Sequence, residues 1–153
     1  MIYDDEQVVT NVASLNQMAK EYAKSIEQKN LEKLSKPLCE LCYYQEKAQF
    51  CYNLLLKFAK QNAMDFVQDL LKNCTLNLHK IKNIITCLEN KQVIDEASNN
   101  YVKIFKDALH CEIQSLKHCM VCQSVCKNSV SCAVLSEIQQ CCEIHIEKLI
   151  SCF

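Results

Sequence analysis

The chain has no glycine and a single proline among its 153 residues. Tight hairpin turns need residues that tolerate positive φ, glycine first among them, so this composition argues against a sheet-rich fold. Charge of one sign is also missing. Lys plus Arg total 17 against 18 Asp plus Glu, and no basic run stands out. No global field or patch would draw nucleic acid or an anionic membrane surface. No apolar run approaches the roughly 18–20 residues that a membrane span requires. The opening MIYDDEQVV lacks the basic segment and apolar core of a secretory leader. A soluble, cytoplasmic protein with no nucleic-acid partner and no membrane span is the expectation. Nucleophile elbows, HExxH motifs and DxD-type sites are absent, and without glycine most phosphate cradles are excluded. An enzyme is not expected.

Half the residues are apolar, enough at this length for one domain spanning 1–153 to bury a core. Their spacing is helical. Val8, Val12, Leu15, Ala19, Tyr22 and Ile26 recur at steps of four and three, predicting a helix over 5–34. The SKP at 35–37 should end it, with Pro37 in the first turn of a second helix over 37–60. That helix carries Leu41, Tyr44, Ala48, Cys51, Leu55 and Phe58 on one face. A capping pattern at Asn62 and Asp65 opens a third helix over 63–89, through Val67, Leu70, Cys74, Leu78 and Ile81. ENKQ at 89–92 and SNN at 98–100 read as turns. A fourth helix runs to about 127, KNSVS at 127–131 stops and restarts the chain, and a final segment covers 132–152. The expected fold is all-α: an antiparallel helix bundle of four main helices plus one extra terminal helix.

Thirteen cysteines are the abundant feature, and their odd number rules out a complete set of internal disulfides. Without a secretion signal, cysteine clusters point to metal or redox chemistry more than to a disulfide framework. On the fourth helix Ala108, Cys111, Ser115, Cys119, Cys122 and Cys126 share one seam. Val102, Phe105, Leu109, Ile113, Leu116 and Met120 form a separate aliphatic seam about a third of a turn away. Thiols segregated from aliphatics suggest a task beyond filling space. Close thiols on one helix are poorly placed for a disulfide, because their β-carbons stand roughly 5–6 Å apart rather than about 3.5–4.5 Å. Soft thiolates select Cu(I), Zn²⁺ or iron–sulfur clusters. CELC at 39–42 and CMVC at 119–122 lack the knuckles of a zinc ribbon, so Zn is the weaker candidate; Cu(I) accepts two sulfurs and is the stronger.

HCMVCQSVC at 118–126 resembles the HCxxCxxxC motif in the final helix of the cysteine-rich four-helix-bundle copper-storage family. The resemblance implies several Cu(I) ions stored or buffered by thiolates lining a bundle. It implies Cys111, Cys119, Cys122 and Cys126 as the leading ligands, with Cys39, Cys42, Cys51, Cys74 and Cys87 as further contributors. Cys132, Cys141, Cys142 and Cys152 lie beyond the motif. Cys122, Cys132, Cys142 and Cys152 step by ten, which resembles the twin-CX9C hairpins of the mitochondrial intermembrane space and makes that compartment the alternative location. His145, three and four residues after Cys142 and Cys141, could hold a metal or activate a thiol, but a partly exposed helix histidine is the plainer expectation. His118 could sit at the mouth of the thiol seam. The alternative function is a non-catalytic structural or interaction subunit, self-associating or held in a larger assembly. Its cysteines would be core filler or disulfides, and Leu38, Leu56, Leu76 and Phe153, off the main stripes, would be among its contacts.

Overall fold

Helix periodicity dominates the described chain as it dominates the sequence. The computed structural model describes residues 5–59, 61–84 and 100–153, and these contain helices and no strands. Four helices follow in order: α1 (Asp5–Phe58), α2 (Gln61–Ile84), α3 (Tyr101–Val125) and α4 (Ser129–Ile150). Cys87, the ENKQ turn and most of SNN lie outside the described residues, as does the side chain of Asn62.

The expected break at Pro37 does not occur: α1 runs through it without interruption. An interior proline removes one backbone hydrogen bond and crowds the carbonyl four residues earlier, at a cost of about 3 kcal/mol. Leu34, Leu38 and Leu41 flank it and are all buried. At about 1.5–3 kcal/mol each, their burial outweighs the proline penalty. Packing thus decides the matter against local propensity. The extra terminal helix of the sequence reading is therefore the first half of α1, not a separate element. Leu38, expected at a surface contact, is part of the core for the same reason.

Two side-chain caps fix the starts of α3 and α4. Asn100 Oδ1 accepts from Lys103 N at 3.2 Å. Asn128 Oδ1 accepts from Val130 N at 2.9 Å and Ser131 N at 3.1 Å, so KNSVS does stop one helix and start the next. The bundle closes as α1 packs along α3 and α2, while α4 packs along α3 and, more lightly, α2. Packed neighbours run antiparallel. Residues 34–42 of α1 meet Cys119 and Cys122 near the end of α3, whereas residues 48–55 meet Ile104, Phe105 and Cys111 near its start.

The core has two apolar compartments. One holds Ala48, Tyr52, Leu55, Val67, Leu70, Ile104, Phe105 and Leu149, and the other Leu34, Leu38, Leu41, Leu78, Ile81, Leu135 and Ile138. On α3 the seam of small residues and thiols is the one that faces inward: Ala108, Cys111, Ser115, Cys119 and Cys122 are all buried. Of the aliphatic seam, Phe105 is buried and Leu109 and Leu116 pack against the core, while Val102, Ile113 and Met120 are exposed. Small side chains let α1 lie close against α3 with large residues from its own side, such as Leu41 and Tyr52, filling the space.

Candidate functional site

The thiols meet in pairs. Cys51 of α1 and Cys111 of α3 are both buried in the same compartment of the core, close enough that Cys51 is the chief influence holding the Cys111 thiol protonated. At the turn between α3 and α4, Cys126 and Cys132 come together: Cys126 Sγ donates to the Asn128 carbonyl at 3.5 Å, and the Cys132 thiol helps hold Cys126 protonated. Asn128 creates that second pair: by capping α4 it folds the chain back so that Cys132 Sγ lies 3.5 Å from the Cys126 carbonyl oxygen. Sequence reasoning missed Cys132 because the resemblance ends at Cys126. The cap between the two cysteines was the available signal.

The remaining expected ligands do not converge. Cys119 Sγ donates to the Leu135 carbonyl at 3.1 Å, Cys74 Sγ to the Gln45 carbonyl at 3.0 Å, and Cys42 Sγ to Glu46 Oε1 at 3.5 Å. Cys122 is buried beside Cys119, and Cys39 is half-buried. Among the described residues, no three side chains of His, Cys, Asp or Glu come together as a metal-binding group.

Burial holds most of these thiols protonated. It pushes Cys42, Cys119 and Cys122 up to about 12 from the ordinary 9.0. Cys111 is raised first by the Cys51 thiol and then by burial, and Cys126 by burial and then by the Cys132 thiol. The core thus carries neutral sulfur until something displaces the protons.

Between the two apolar compartments lies a polar layer that the sequence reading did not find: Gln45, Asn77, Glu112, Ser115 and His145. Glu112 and His145 have no exposed surface. Tyr52 Oη donates to Glu112 Oε1 at 2.8 Å, His145 Nδ1 stands 3.2 Å from the same oxygen, and Gln45 Nε2 is 3.4 Å from Oε2. Gln45 Nε2 also donates to Ser115 Oγ at 2.8 Å, and Asn77 Nδ2 donates to Gln45 Oε1 at 3.2 Å. The clue was present, since Glu112 stands four residues after Ala108 and three before Ser115, on the inward stripe. A charge on a buried stripe calls for a buried partner.

His145 is therefore a buried histidine and not the partly exposed one expected. The Cys-Cys-x-x-His corner also separates. Cys141 Sγ approaches His145 Nε2 at 3.5 Å, while Cys142 turns to Gln45 at 3.9 Å. His118 lies stacked on the Tyr44 ring, with centroids 5.5 Å apart.

Burial alone would favour neutral imidazole at His145. The hydrogen bonds to Cys141 and Glu112, with the Glu112 charge, outweigh it and raise the pKa from 6.5 to about 9. A raised folded-state value stabilises the protonated form, so this contribution is complete below about pH 6.5 and lost as pH rises through about 9. Thermal melting between pH 6 and pH 10 is expected to lose about 3 kcal/mol from this source. A midpoint that rises across that range would contradict the ion pair.

In the comparisons with known proteins, no family model, no curated protein and no solved structure matches this chain.

Proposed function

We propose that the protein binds and buffers Cu(I) at pairs of cysteine thiols, one pair inside the bundle and one at its end. The observation that carries this reading is the burial of Cys51 and Cys111 together, from facing helices α1 and α3, in one compartment of the core. Cu(I) is soft and accepts as few as two sulfurs, whereas structural zinc takes four ligands in a tetrahedron. Paired thiols therefore suit Cu(I) better than Zn²⁺.

The second pair supplies the accessible site. Cys126 lines an open cavity of about 420 Å³ beside the α3–α4 turn, together with Lys127 and Asn128. Each ion held by two thiols displaces two protons and leaves an anionic bis-thiolate complex. Lys127 brings positive charge beside that complex at the cavity. Inside the bundle Cys51 and Cys111 are both buried, so copper must displace packed side chains to reach them and its entry there is expected to be the slower event.

The test is an anaerobic Cu(I) titration of the reduced protein against a colorimetric chelator. Two equivalents or more should bind, with a fast and a slow phase, and binding should weaken as pH falls because protons compete for the sulfurs. Uptake below one equivalent would overturn the reading.

A further inference from the structure

From Asn11 to Lys33 no described side chain of α1 is buried; burial begins at Leu34. Asn30 and Leu31 still line the cavity at the end of the bundle, so the helix projects about 28 Å beyond it over residues 11–29. This arm is not uniformly polar. Val12 is 51% exposed, Leu15 63%, Tyr22 70% and Ile26 42%, and Ala19 lies between them on the same stripe. Polar residues take the opposite side, where Gln17 Nε2 donates to Glu21 Oε1 at 3.3 Å. Within the bundle, such a stripe would be core.

We infer that the arm pairs with the arm of a second copy of this chain as an antiparallel two-helix coiled coil, centred near Gln17. Steps of three and four repeated through Val12, Leu15, Ala19, Tyr22 and Ile26 average 3.5 residues, the period that keeps one seam facing a partner helix. A globular groove would accept a broader face.

The flanking positions identify the partner. Asn11, Asn16, Met18, Ala23 and Ser25 border the seam and none is charged. Charges at these positions normally select a different partner or reject an identical one, and here nothing repels a second copy. The residue sizes set the direction. A parallel pair would stack Ala19 on Ala19 and Tyr22 on Tyr22, leaving a void beside a clash. The antiparallel pair places Ala19 against Leu15 and Val12 against Tyr22 in each half, so large side chains meet small ones. It also sets the two bundles at opposite ends.

Removing the exposed fractions of these side chains from water on both copies buries on the order of 1,000 Å², the lower bound for a specific interface. The helix is already nucleated by its anchored half, so association does not carry the cost of forming it. The pairing is independent of the copper reading, since no cysteine lies on the arm.

The experiment is sedimentation equilibrium of the full reduced chain across about 1–200 μM, compared with Leu15→Glu and Ala19→Glu. The wild type should dimerise with micromolar affinity, and each variant should weaken the dimer at least tenfold with unchanged helicity. Both positions are exposed in the single copy, so loss of folding does not confuse the result. Amine cross-linking of mixed isotopically light and heavy copies should join Lys20 of one copy to Lys20 of the other, near the two-fold axis, and leave the two Lys33 side chains unlinked. A monomer at the highest concentration, a dimer indifferent to both variants, or inter-copy links between the two Lys33 side chains would overturn the inference.

Discussion

Glu112→Ala is expected to cost the fold about 3–5 kcal/mol, a large part of the roughly 5–15 kcal/mol that holds a domain of this size together. The carboxylate accepts from Tyr52, Gln45 and His145, and all four groups are shut away from water. Truncation strands the Tyr52 hydroxyl and a Gln45 hydrogen, removes the counter-ion that lets His145 stay protonated, and opens a cavity between the two apolar compartments. Chemical denaturation should show the loss directly, as a lower midpoint.

Glu112→Gln separates charge from shape. The amide keeps the volume and can still accept from Tyr52, but it offers His145 no negative charge. The neutral imidazole then becomes the favoured form, and protonating it at low pH should destabilise the variant. Wild type loses stability as pH rises toward 9, whereas Glu112→Gln should gain stability as pH rises through the ordinary histidine range. Parallel pH slopes in the two proteins would show that the ion pair is not what stabilises the polar layer.

The second large effect concerns copper. Cys51→Ala and Cys111→Ala are each expected to lose one Cu(I) equivalent, and the double variant should lose no more than either alone. That non-additivity is the mark of two residues serving one site. Cys119→Ala should keep full stoichiometry, because its neighbouring thiol Cys122 lies on the same helix, where β-carbons stand roughly 5–6 Å apart, and not on a facing one. Competition titration of the four variants, with circular dichroism to verify the helices, provides the comparison. Equal losses in Cys119→Ala and Cys111→Ala would point to a shared cluster along α3 and against discrete pairs.

Much of the architecture was legible in the sequence because helix periodicity and capping are local. Asn128 announced the α3–α4 turn, and the stripes through Val67, Leu70, Cys74 and Leu78 or Leu135, Ile138 and Cys142 are the ones the core buries. Pro37 misled because its effect is local while the decision is tertiary: the leucines around it are held by three other helices. The two seams of α3 were read correctly as separate, and the thiol seam faces inward as the reading of a thiol-lined interior required. What spacing along α3 does not carry is how far the second seam is left open, since that depends on how α1 and α4 cover it. The thiol pairs were half legible. Cys111 and Cys51 were both named as ligands, but they stand 60 positions apart and no local pattern joins them. Cys132 stood beyond the motif that drew attention to Cys126. His145 and Glu112 were obscured because each lies within a run of ordinary helix residues, and only their juxtaposition across α3 and α4 shows that they belong together.

Copper K-edge X-ray absorption on reduced protein loaded with two equivalents of Cu(I) reports the number and kind of atoms bound to the metal. Paired thiols require two sulfur neighbours per copper and a pre-edge feature characteristic of linear coordination. Three or four sulfurs per ion, copper–copper scattering, or nitrogen and oxygen in the first shell would contradict the account.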